Sequence, residues 1–125
     1  MKSIIPLIAR IFVAAIFLMA GAGKIANPAG TQEYMAAHGM PYTWLFLLGA
    51  IVVEILGGLS LVLGLKARLG AWVLALFLVP TTLIFHTEFS DQMQLILFME
   101  NIAIIGGLLM IASCGPGRLS MDRRG

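Results

Sequence analysis

The sequence predicts an all-α integral membrane protein: an antiparallel four-transmembrane-helix bundle, N-in/C-in, with a short interfacial helix in the first outer loop. Three observations predict it. The 125-residue chain is 60% hydrophobic and 11% charged, with a mean hydropathy of +0.99; a soluble domain this short has too little interior to hide that much apolar surface. Four apolar runs, about 4–23, 44–65, 69–86 and 94–113, reach or approach the roughly 20 residues that cross about 30 Å of hydrocarbon as helix. The runs are apolar all round and lack the period-two alternation of a membrane barrel strand, so helices are the way to satisfy their backbones in lipid.

The elements follow in order. Lys2, an apolar stretch and the small residues "AGAG" look like a secretory signal peptide. Arg10, however, falls inside what would be an uncharged segment, and three more spans follow, so the first run reads as a retained helix. The first connection, "KIANPAGTQEYMAAHGMPY", is long enough for a helix of its own over Gln32–His38. Asn27 before Pro28, or else Thr31, would cap its start, and Gly39 with Pro41 would stop it, leaving a lid along the outer interface. The connections "KARLG" and "HTEFSDQM" are short, which forces neighbouring helices to be antiparallel. No linker, low-complexity tract or repeat interrupts the chain, so residues 1–125 read as one domain.

Basic residues orient the bundle. Lys2 and Arg10 lie at the amino end, Lys66 and Arg68 in the second connection, and Arg118, Arg123 and Arg124 in the tail. The first connection sets Lys24 against Glu33, and the third carries Glu88 and Asp91 without a cation. The positive-inside rule then puts both termini and the second connection in the cytoplasm, with Tyr34, Tyr42 and Trp44 at the outer boundary. The net charge of +2 and pI near 9.0 describe scattered flanking cations, which are topology signals and form no nucleic-acid patch.

Polar residues inside the spans need a reason. A charge at mid-membrane costs about 2.5–3.5 kcal/mol on insertion scales. Chain direction puts Lys24, Glu54, His86, Glu100 and Asn101 in the same, outer half of the bilayer. Glu54 shares a helix face with Ala50, Gly57 and Gly58, Glu100 with Ala103 and Gly107, and His86 with Thr82. Small neighbours let helices approach closely, so these polar groups are expected to point into the bundle. On the first helix Arg10, Phe17 and Lys24 recur every seven residues and stay on one seam. Lys24 and His86 are then the partners that keep Glu54 or Glu100 ionised, and the five residues form one polar pocket. Asn101, Thr81 and Thr82 read more simply as hydrogen-bonding glue between helices, and the pairs Gly57–Gly58 and Gly106–Gly107 as packing.

Several chemistries find no motif. Cys114 is the sole cysteine, which rules out a CxxC pair or a disulfide within the chain. His38 and His86 have no spacing motif for haem, and no metal site is expected. There is no phosphate loop, nucleophile elbow or dinucleotide fingerprint.

The residues carry a resemblance as well. "ARIFVAAIFLMAGAGKI" with Arg10, Gly21 and Lys24, then "YMAAHGMP", "VEILGGLSLVLGLKAR" with Glu54, Phe85 and His86, "FMENIAIIGGLLMIASCGPG" with Asn101, and "LSMD" ending at Asp122 together resemble the DoxX family of small bacterial inner-membrane proteins. The family commonly has lysine where this chain has Glu100. The resemblance implies a multi-pass protein of the bacterial inner membrane, linked to sulfur or oxidative-stress metabolism and quinone redox chemistry as an accessory subunit, not a stand-alone enzyme.

Two expectations from different classes remain open. One is a quinone-binding redox accessory served by a soluble redox partner, with Glu54 relaying protons and His86 or Lys24 bonding a carbonyl. The other is a non-enzymatic protein, either a small permease-like binder or a structural partner of a membrane complex, whose small-residue faces support a homo-oligomer. Repeats and broken helices, usual in secondary transporters, do not appear.

Overall fold

In the computed structural model, which describes residues 4–86 and 90–122, five helices account for most of the described residues. They are α1 (Ile4–Ala26), α2 (Pro28–Ala37), α3 (Thr43–Leu63), α4 (Ala67–Phe85) and α5 (Gln92–Cys114). All but α2 are long and apolar enough to span a membrane. Lys2, Glu88, Arg123 and Arg124, which enter the expected charge pattern, lie outside the described residues. Helix α1 runs on through Lys24 to Ala26, beyond the end expected near residue 23. Of the two start residues weighed for α2, Asn27 acts: its side chain accepts from Gly30 N at 3.1 Å, with Pro28 in the first turn.

Helix α1 packs along α3, α3 on α4 and α4 on α5, while α1 and α5 meet along a thin seam. Glycine permits the close approaches. A Cβ at Gly58 would lie 2.7 Å from Leu18 of α1, and one at Gly57 would lie 2.7 Å from Leu74 of α4. The apolar core is built from Ala14 and Phe17 of α1, Leu61 of α3, Ala67 to Leu78 of α4, and Leu108 to Ala112 of α5. Most other apolar side chains are exposed, as expected where lipid is the solvent.

At one end of the bundle the last carbonyls of α3 and the first amides of α4 find partners from α1 and the tail. Helix α3 stops where Gly64 turns left-handed at φ 67°, followed by Lys66 at φ 50°. The last carbonyls of any helix lack intrahelical donors and must find others. Here Arg10, only 1% exposed, reaches across from α1 and donates to Leu61 O at 2.9 Å and Val62 O at 3.3 Å. The tail after α5 supplies the rest: Met121 N donates to Leu63 O and Asp122 N to Gly64 O, both at 2.9 Å. The Asp122 carboxylate then accepts from Lys66 N at 2.7 Å and Ala67 N at 3.0 Å, capping the amino end of α4. Arg10 also donates to Leu119 O, so one guanidinium ties α1, α3 and the tail together. Arg68 completes this end by donating to Ser113 O of α5 at 3.1 Å.

Candidate functional site

The opposite end, where α1 finishes and α3 begins, is built differently. Lys24 Nζ lies 2.8 Å from Glu54 Oε1, with the two side chains 22% and 7% exposed. Each residue is placed by its helix face. Lys24 continues the seam on which Arg10, Phe17 and Gly21 are buried, and Glu54 lies among buried Leu47, Ala50, Gly57 and Gly58 on α3. The pair thus joins α1 to α3 within the membrane, where each charge lowers the cost of the other.

Above the pair opens a cavity of about 740 Å³, walled by α1, α2, α3 and α4. Its lining is largely apolar: Met35, Met40, Phe46, Phe77, Pro80, Ile84 and Phe85 stand beside Ala20, Gly23 and Ala50. Lys24, Asn27, Thr31, Tyr34, Thr81 and His86 are the polar-bearing contributors. Pro80 interrupts the hydrogen-bond ladder of α4 here because it has no N–H to donate. Beside it, the Thr81 and Thr82 hydroxyls donate back to Phe77 O at 2.9 Å and Leu78 O at 2.7 Å.

Helix α2 roofs this end, held by ring contacts. Tyr34 stacks on Phe85 with centroids 5.1 Å apart, and His38 meets the edge of the Phe85 cluster at 4.8 Å. The Thr43 hydroxyl donates to Gln32 Oε1 at 3.1 Å, tying α2 to the start of α3. His86 Nδ1 lies 3.1 Å from Gln94 Oε1. An amide oxygen only accepts, so with the amide placed this way Nδ1 carries a proton.

The expected five-residue pocket is therefore only partly assembled. Lys24 and His86 share the cavity wall, and Glu54 lies behind Lys24 as its counter-ion. Among the described residues His86 meets no carboxylate; its partner is Gln94. Asn101 is elsewhere: its Nδ2 donates to Thr82 Oγ1 at 3.0 Å, joining α5 to α4. Glu100 departs from the expectation outright. It is exposed, as is Ala103 one turn on, whereas Gly107, two turns on, is half-buried and would bring a Cβ within 3.5 Å of Val13 of α1, so at the level of Glu100 this side of α5 is not covered by the bundle. Small residues marked an interior face along α3 but on α5 only at Gly107, because residues such as Ala103 also suit a surface that meets lipid or another helix. An ionised carboxylate so placed bears a cost of about 2.5–3.5 kcal/mol if left unpaired.

Three parts of this architecture escaped the sequence reading. Charge and seam assign Arg10 no partner, although a cation inside an apolar span signals a buried acceptor set. Pro80 within the third run marks a gap in a helix ladder, and the Tyr34–Phe85 stack needs the fold to bring the rings together.

The comparisons with known proteins now bear on this geometry. The family model described as DoxX matches residues 5–87, a stretch that holds Arg10, Lys24, Glu54 and the helices around the cavity. The chain belongs to the DoxX family. Inner membrane protein YqjF of Escherichia coli (strain K12) is 42% identical over 117 residues, covering 94% of this chain and 88% of that protein. Inner membrane protein YphA of the same strain is 34% identical over 128 residues, covering 98% of this chain and 91% of that protein. No solved structure matches the chain. With four membrane-length helices and these relatives, this DoxX-family chain is a multi-pass inner-membrane protein embedded in the lipid bilayer.

Proposed function

We propose that this DoxX-family protein holds a lipophilic aromatic molecule of the quinone class in the cavity beneath α2, as an accessory to a redox complex. One observation carries the reading: a cavity of about 740 Å³ with mostly apolar walls has an ammonium group, Lys24, fixed in its wall by Glu54. Small-molecule sites are typically ~300–1,000 Å³, apolar, with a few polar groups that set orientation. The residues fit such a group. Phe46, Phe77 and Met35 offer flat or adaptable surfaces to a ring, and Lys24 keeps donors beyond the one directed at Glu54.

A quinone, when bound, supplies reversible two-electron, two-proton chemistry at its ring oxygens. Lys24 would donate to one such oxygen, and Glu54 behind it would hold or relay the proton. His86, with Nδ1–H engaged by Gln94, offers Nε2 as an acceptor; its role becomes receiving a proton, where a donor to a carbonyl was expected. Asn101 serves helix packing in this reading, and Glu100 has no part in the cavity. Electrons would come from a soluble redox partner. The N-in/C-in orientation is proposed with it, supported by Arg10, Lys66, Arg68 and Arg118 at one end of the bundle. The cavity then opens in the outer half of the membrane with α2 along the outer interface, and residues 1–125 act as one domain.

The structural-partner reading has an observation of its own, since the polar pairs Lys24–Glu54 and Asn101–Thr82 each join two helices. Solvent extraction with mass spectrometry and absorption spectroscopy on detergent-purified protein separates the two. Gly23→Leu is the decisive variant, because Gly23 lines the cavity and an added Cβ there meets nothing within 4 Å. The cavity would fill while Lys24–Glu54 stays intact. A stoichiometric quinone in the wild type, lost in Gly23→Leu and altered in Glu54→Gln, supports the proposal. Phospholipid alone from well-folded wild type defeats it and leaves Glu54 as helix glue.

A further inference from the structure

The exposed face of α5 poses a problem that the cavity does not solve. Glu100 follows Gln92, the first residue of α5, by eight positions in a helix of 23 residues, which at 1.5 Å per residue puts it about 12 Å along the span. That depth is inside the hydrocarbon, and among the described residues Glu100 makes no hydrogen bond or ion pair. The chain has committed its own intramembrane cations: Arg10 to the carbonyls of Leu61 and Val62, and Lys24 to Glu54. From Glu100 a row of exposed small residues, Ala103 and then Gly106, winds obliquely round α5 by about 60° per step, and a Cβ at Gly106 would meet nothing within 4 Å. These residues leave a shallow track in which another helix can approach the α5 backbone.

We propose that this face docks a transmembrane helix of another protein carrying a lysine or arginine at the depth of Glu100. Charge complementarity selects that occupant. A second copy of this chain, inserted in the same direction, would present carboxylate to carboxylate, and among the described residues its intramembrane cations Arg10 and Lys24 already have partners. The docked helix pairs its cation with Glu100 and lays its backbone along Ala103 and Gly106. This surface is on α5, away from the α2-roofed cavity, so it stands or falls independently of the quinone reading.

The test uses the full chain labelled at exposed Cys114 with a donor dye and reconstituted in phosphatidylcholine vesicles. The probes are synthetic Leu/Ala transmembrane helices with uncharged ends and an acceptor dye, carrying Lys, Leu or Glu at the matching depth. Energy transfer should show the Lys helix binding at least tenfold more tightly than the Leu helix, with the Glu helix weakest. Glu100→Leu should abolish the preference, and Gly106→Leu should weaken the Lys helix while the bundle keeps its wild-type thermal stability. Equal binding of the Lys and Leu helices, or a preference that survives Glu100→Leu, overturns the proposal. Self-association through α5 that excludes the Lys helix overturns it too, by making a second copy the occupant.

Discussion

Replacing Arg10 by lysine separates two roles that a basic residue at this end of α1 could have. As a topology signal, Lys and Arg are equivalent. As a clamp they differ, because the guanidinium reaches Leu61 O at 2.9 Å, Val62 O at 3.3 Å and Leu119 O together, and a single ammonium cannot reproduce that planar fork. Each hydrogen bond to a charged donor contributes about 1.5–3 kcal/mol when its loss strands a buried acceptor. Three such bonds are offset by the several kcal/mol that burying the guanidinium costs. A net loss of about 3 kcal/mol for Arg10→Met follows, roughly a hundredfold in the unfolding equilibrium, with Arg10→Lys recovering about half. Unfolding by sodium dodecyl sulfate in mixed micelles, followed by circular dichroism, measures both. Limited proteolysis of the tail reports whether Leu119 to Asp122 has come away. If Arg10→Met matches the wild type within about 0.5 kcal/mol, a level typical of surface substitutions, the clamp makes no net contribution and Arg10 is only a topology residue.

Other perturbations follow from the same contacts. Asp122→Ala removes both acceptors from Lys66 N and Ala67 N and should cost about 1–2 kcal/mol in the same titration; combined with Arg10→Met, the losses should fall short of additive by at least ~0.5 kcal/mol, since both residues hold the same tail. Gly57→Ala puts a Cβ 2.7 Å from Leu74 Cγ and should destabilise by about 1–3 kcal/mol through overpacking. Thr82→Val strands the Asn101 amide that now donates to it at 3.0 Å and should lower stability by roughly 0.6–2 kcal/mol, with Asn101→Leu in the same background restoring part of the loss.

How much of this could be read in the sequence depends on the range of the interaction. The spans were legible because lipid imposes one requirement, an unbroken apolar helix of about 20 residues. The inward face of Glu54 was legible too, since Ala50, Gly57 and Gly58 lie one turn away and all are buried. Lys24 as its partner followed from a seam that α1 keeps. Glu100 defeated the same rule because α5 shows no apolar stripe: Ile96, Met99, Ile102 and Leu109 are all exposed on one side or another. When nearly every position is apolar, periodicity carries no facing information. The Arg10 and Asp122 contacts were illegible for a different reason. They join positions 51 and 56 residues apart, and no local pattern encodes which carbonyl a distant side chain will meet.

The two ends of the bundle accordingly divide the labour. At the Arg10 end, backbone groups freed by the α3–α4 turn find partners from α1 and the tail, so local opening there must break several bonds at once. At the Lys24 end, α2 is held by ring contacts and the Thr43–Gln32 hydrogen bond over a cavity, which makes it the lower-stability unit. Under the proposed function, a protein that admits a bulky apolar molecule needs one end able to part while the helices stay in register. Closing the opposite end with fixed partners, and placing the ion pair Lys24–Glu54 between the closed core and the cavity, meets both needs. The ion pair holds α1 and α3 together where the apolar packing gives out, and under the proposed quinone reading Lys24 would orient the ligand as well. Because a change to the pair would disturb packing and any bound ligand together, the decisive variant against the cavity must fill space at Gly23 and leave the charges alone.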